Sequence, residues 1–132
     1  MRVALFAAAA LAALPLTVAA PAKAEAPPPP YVDHTEWVLW GDLKSLRVYP
    51  TAAGRQASTS FTSPDEAWSE VLVAAPDADI PGMREQFVCH WQLAEYAFPG
   101  KTSWNLEPWR PVVEATKLIE TGCNPGGVEE PF

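Results

Sequence analysis

The chain is poor in the side chains from which familiar catalytic and metal centres are built: two cysteines and two histidines among 132 residues. Neither histidine has a second His or Cys at ligand spacing, which argues against a zinc site. No GxSxG, HExxH, glycine-rich phosphate loop or dinucleotide fingerprint occurs. Asp77-Ala78-Asp79 lacks the spaced oxygen ligands and closing Glu of a calcium loop. No metal and no cofactor is therefore expected. Basic residues are also scarce, with 9 Lys and Arg against 16 Asp and Glu and a net charge of −7. Such a surface repels phosphate backbones and anionic lipids, which lowers nucleic acid and membrane surfaces as partners. Beyond one stretch near the start, no apolar run is long enough to cross a bilayer.

That stretch is Val3 to Ala20, preceded by Arg2 and followed by Ala22-Lys23-Ala24, a small-x-small cleavage pattern. It predicts a cleaved signal peptide over residues 1–24; cuts after Ala20 or Ala26 would put a proline at the first mature position. A retained anchor is the competing reading, disfavoured by the Ala-rich composition and by Pro15. Loss of Arg2 and Lys23 with the leader leaves 7 basic against 16 acidic side chains, a net charge of −9. The expected location is extracellular or in the cell envelope, with no membrane span after cleavage. Residues 25–34, with Pro27-Pro28-Pro29-Pro30, read as a polyproline II spacer. Residues 35–127 read as one globular domain and 128–132 as a tail. In an oxidising compartment Cys89 and Cys123 read as a disulfide.

Within the domain, Trp37-Val38-Leu39-Trp40, Gly41-Asp42 and Leu46-Arg47-Val48-Tyr49 predict a hairpin stopped by Pro50. Thr51 to Thr62 is small and polar and reads as loop with some further strand. Ser63-Pro64-x-Glu66 predicts a helix start, with Ala67, Trp68, Val71 and Leu72 as its apolar face up to Ala74. Asp79 reads as the cap of a second helix running to Ala97, with Met83, Phe87, His90 and Ala94 along one side. Residues 101–111 must be largely extended, because Glu107 and Arg110 each precede a proline. Val112 to Thr121 reads as a weaker third helix. The fold expected is α+β: one small domain with a short antiparallel sheet over residues 36–61, two or three helices and one disulfide.

Ser45-Leu46-Arg47-Val48-Tyr49-Pro50-Thr51, Pro81-Gly82-Met83 with Gln86 and Cys89-His90, Trp104 to Pro111, and Cys123-Asn124-Pro125-Gly126 together resemble a family of small exported actinobacterial proteins, domain of unknown function 2599. The resemblance spans most of residues 36–127. It implies a secreted, disulfide-linked domain and brings no activity with it.

Two functional readings follow from the residues. Six tryptophans in a small acidic exported domain suit stacking on sugar rings or a protein partner. Trp104, Asn105, Trp109 and Arg47 are the binding candidates, and Trp40 and Trp109 the tryptophans expected to be exposed. This favours a non-catalytic module that binds a cell-envelope glycan or another exported protein. The alternative is an envelope hydrolase, with His90 and Glu107 as acid–base pair and Arg110 holding a carboxylate or developing oxyanion, since an imidazole titrates near neutrality. Against each stands a plain structural use: tryptophans as core, Glu107–Arg110 as an ion pair, His90 as a half-buried hydrogen-bonded side chain.

Overall fold

A computed structural model describes residues 9–20 and 25–127; the expected cleavage motif at 22–24 and the tail at 128–132 lie outside them. Strand β1 (Val32–Trp40) turns at Gly41-Asp42 into β2 (Leu43–Pro50). Helices α1 (Ala52–Ser58) and α2 (Asp65–Ala74) follow, then a 3-10 turn at Pro76–Ala78 and the long α3 (Met83–Ala97). Strand β3 (Trp104–Leu106) and the short α4 (Ala115–Glu120) complete the order. β2 is the central strand, antiparallel to β1 on one side and to β3 on the other. The architecture is the expected α+β domain.

The expected boundaries differ in four places. The ordered fold reaches back into the proline-rich segment, because Tyr31 is buried and its ring meets the edge of Trp91 at 5.7 Å. Both carboxylate oxygens of Glu70 accept the Tyr31 amide, at 3.1 and 2.8 Å, and Oε2 also accepts that of Val32 at 2.7 Å. The segment read as loop after Thr51 is α1. The Thr51 hydroxyl caps it by accepting the Gly54 amide at 2.9 Å, and a Cβ on Gly54 would come within 2.1 Å of the Tyr31 carbonyl oxygen. The sheet therefore ends at Pro50 in the hairpin and takes its third strand from beyond α3, rather than from residues 51–61.

The other two differences concern helix starts. α3 begins after Gly82, not at Asp79. Gly82 takes the left-handed φ of 91° that favours glycine, and a Cβ there would press Val112 at 3.2 Å. α4 is shorter than residues 112–121, since Val112 and Val113 stay outside it.

The core lies between the sheet and α2 and α3. Leu46, Val48, Trp104 and Leu106 project from one face of β2 and β3 onto Val71, Met83 and Phe87. Phe87 sits among Trp68, Trp91 and Trp104, with ring centres 5.6–6.2 Å away. Because backbone fills the space above Gly54, Gly54→Ala is expected to cost about 1–3 kcal/mol by forcing Tyr31 and α1 apart. The midpoint of thermal unfolding reads this directly.

Candidate functional site

The alternation of β2 and β3 sends polar residues to the other face of the sheet. Ser45, Asn105 and Glu107 project there, and all three are buried. The Glu107 side chain has no solvent exposure, and neither has that of Arg110, whose Nε donates to Glu107 Oε2 at 3.1 Å. The Ser45 hydroxyl donates to Glu107 Oε1 at 3.3 Å. Arg110 Nη1 donates to the carbonyls of Pro125 (3.2 Å) and Gly127 (2.8 Å), so one guanidinium ties the sheet to the C-terminal turn. Its carbon stands 4.4 Å from the centre of the Trp109 ring, in cation–π contact. The Ser103 hydroxyl donates to Asn105 Oδ1 at 2.7 Å.

α3 closes the outer edge of β3 with side chains in place of a further strand. The Gln86 amide accepts the Glu107 N–H and donates to the Glu107 carbonyl, both at 2.9 Å. One helical turn on, His90 Nε2–H donates to the Asn105 carbonyl at 3.0 Å. Positions four apart on a helix are neighbours on one face, and alternate residues of a strand present their backbone groups to the same side. The two spacings match closely enough for Gln86 and His90 to satisfy an edge that would otherwise pair with another chain. Neither Gln86 nor Ser45 stood out in the sequence as a site residue. The available signal was a polar side chain four residues before His90 on an otherwise apolar helix face.

The candidates thus divide. His90, Asn105, Glu107 and Arg110 come together in one buried polar layer; Trp104 is core. Arg47 is half-buried opposite Asn105 in the strand register. Trp109 is half-buried beneath Arg110, while Trp40, beside the hairpin turn, is 51% exposed. His34 lies exposed, stacked on Tyr49 at 4.1 Å. Among the described residues no group of three or more His, Cys, Asp and Glu could hold a metal ion.

On the far side of α3 the chain is stapled by the Cys89–Cys123 disulfide, which packs with Leu118, Leu93 and Val113 as a second, smaller apolar cluster. Beside it opens a groove of about 580 Å³, bordered by Leu93, Ala97, Phe98, Lys101, Ile119 and Asn124, among others, with His90 at its inner wall.

The family model "Protein of unknown function (DUF2599)" matches residues 32–126. Uncharacterized proteins of Mycobacterium tuberculosis and Mycobacterium bovis are each 58% identical over 106 residues, which is 79% of this chain and 72% of theirs. An uncharacterized protein of Mycobacterium leprae is 48% identical over 99 residues, 74% of this chain and 80% of its own. No solved structure matches the chain significantly. The matched span begins at the first residue of β1 and ends in the turn that Arg110 holds, so the chain belongs to the DUF2599 family of proteins of unknown function.

Proposed function

We propose that this protein is an exported, non-catalytic binding module of the cell envelope whose partner is a glycan or another exported protein. The observation that carries the reading is the burial of Glu107. An acid–base carboxylate must reach its substrate within about 2.6–3.2 Å or through one water. The Glu107 carboxylate has no solvent exposure and bonds to Arg110 and Ser45. His90 spends its Nε2 proton on the Asn105 carbonyl. The polar groups that a hydrolase would need are taken up in holding the sheet to α3 and the C-terminal turn.

Export is supported by the apolar stretch over residues 9–20, which lies exposed, takes no regular secondary structure and adds nothing to the core. No helix among the described residues is long and apolar enough to cross a membrane. For the binding surface, the hairpin end of the sheet is the best supported. Trp40 and Leu39 are 51% and 66% exposed there. β3 runs toward the same end, since Val48, Arg47 and Leu46 pair in turn with Trp104, Asn105 and Leu106, and the Pro108-Trp109 turn follows. Exposed aromatic faces beside polar groups suit sugar stacking, and aromatic side chains also anchor protein interfaces.

The test is sedimentation of the oxidised protein with purified cell wall. Retention is expected to survive His90→Ala and to fall about tenfold in Trp40→Ala, the equivalent of roughly 1.4 kcal/mol. Dye release from labelled wall that disappears in Glu107→Gln would replace the module with an enzyme.

A further inference from the structure

The two edges of the sheet are treated unequally. On β3 the outward groups are the Asn105 carbonyl and the Glu107 amide and carbonyl, which α3 takes up through His90 and Gln86. Backbone groups of successive residues alternate between the two sides of a strand. Trp104 and Leu106 therefore face β2, and their partners Val48 and Leu46 face β3 and turn away from β1. Thr35 and Trp37, opposite Val48 and Leu46, must then point their amides and carbonyls out of the sheet. Leu39, two residues further on, does the same.

β1 has no counterpart of Gln86 and His90. Glu70 accepts the amides of Tyr31 and Val32 at the start of the strand, where the register slips between Val32 and His34. Beyond that point, among the described residues, nothing hydrogen-bonds the outward groups of Thr35, Trp37 and Leu39. Asp33 to Leu39 holds neither proline nor lysine, two common blockers of strand edges. α2 meets the strand through its core face, where Trp37 packs. A row of outward amides and carbonyls selects an extended strand as its occupant.

We infer that β1 pairs antiparallel with the β1 of a second copy of this chain, about a two-fold axis at Trp37. In that register Trp37 lies opposite its own counterpart and Thr35 opposite Leu39 of the other copy. Every outward group of the three residues is then bonded, two bonds to each pair. Glu36 faces Val38 of the other copy, and Leu39, which is 66% exposed, is covered. Centring the pair on Glu36 would set two carboxylates directly opposite each other. Centring it on Val38 would set Thr35 against the Gly41 turn, and centring it on Thr35 would set Leu39 against Tyr31, whose amide Glu70 holds. The strand thus matches itself in hydrogen-bonding parity, charge and length, which singles out a copy as the occupant. The pairing goes beyond the binding reading and is measured without cell wall, so failure of either test leaves the other standing.

Sedimentation equilibrium of the oxidised protein should show monomer and dimer with a dissociation constant below about 1 mM. A contact one strand long belongs to the transient class. Salt should tighten it, because two copies of net charge −7 repel each other. Val38→Lys places an ammonium opposite Glu36 twice per dimer and should tighten the dimer about fivefold, while Val38→Glu should weaken it at least as much. Val112→Lys makes the same change of charge on an exposed residue outside β1 and should fall well short of that gain. Leu39→Pro removes an outward amide without touching the ladder to β2 and should abolish the dimer. Each variant is checked first for an unchanged unfolding midpoint. A monomer at every concentration overturns the pairing, and slow hydrogen exchange at Thr35, Trp37 and Leu39 in that monomer would assign the edge to another segment of this chain. A dimer indifferent to both Val38 variants overturns the register, and one that survives Leu39→Pro overturns the edge.

Discussion

Arg110→Met is expected to destabilise the domain by about 3–5 kcal/mol, the cost of removing one partner from a buried ion pair. With total stabilities of roughly 5–15 kcal/mol for domains of this kind, the variant stands near the edge of folding. The physical reason is what remains behind. The Glu107 carboxylate, with no solvent exposure, keeps the Ser45 hydroxyl at 3.3 Å but loses its counter-charge. The carbonyls of Pro125 and Gly127 lose the Nη1 donor that pins the C-terminal turn to the sheet. Glu107→Leu alone should cost a similar amount, by stranding the guanidinium instead. The double variant Glu107→Leu with Arg110→Met should recover much of the loss, because no uncompensated charge is left buried. Urea unfolding of the four proteins closes the cycle. A shift under about 1 kcal/mol in both single variants would place the pair in contact with water.

Reduction of the disulfide is expected to cost about 3–4 kcal/mol, from the chain entropy released by opening a loop across this separation. Cys89 and Cys123 are 34 residues apart, one on α3 and the other just past α4. Between them lies a satellite cluster of Leu118 with Leu93 and Val113, too small to hold α4 unaided. The bridge also positions the turn whose Pro125 and Gly127 carbonyls Arg110 uses, so the two devices share one structural element. Cys89→Ser with Cys123→Ser should therefore be non-additive with Arg110→Met, the combination costing less than the two losses taken separately. Unfolding with and without dithiothreitol measures the first term; the triple variant measures the coupling. Strict additivity would mean that the turn stays seated without its staple.

The legible parts of the fold were those decided by neighbours along the chain. Gly41-Asp42 turns the hairpin, Pro50 ends β2, α2 runs to Ala74, and α3 ends at Ala97. Asn105 and Glu107 lie on the strand face opposite Trp104 and Leu106, as the alternation requires. What was not legible depended on distant partners. Ala52–Ser58 carries a glycine and looks like loop. It is a helix because Thr51 caps it and the Tyr31 carbonyl lies against Gly54. Asp79 looks like the better helix cap, yet the 3-10 turn at Pro76–Ala78 and the left-handed Gly82 delay the start of α3. The candidate site follows the same rule. Gln86 and Ser45 become important only once α3 lies along the edge of β3 and β2 lies beside it.

From the order of its residues alone this protein is a single α+β domain with two cysteines able to pair, an aromatic-rich interior and an acidic exterior, because composition, periodicity and turn chemistry act over a few residues. Whether Glu107, Arg110 and His90 face water or each other's neighbours is a matter of which segments pack together. A glutamate next to a proline reads the same in either setting. Tertiary packing buried all three, by laying α3 and the 123–127 turn over one strand edge and one sheet face, and in doing so turned a candidate catalytic set into the polar interior of the fold.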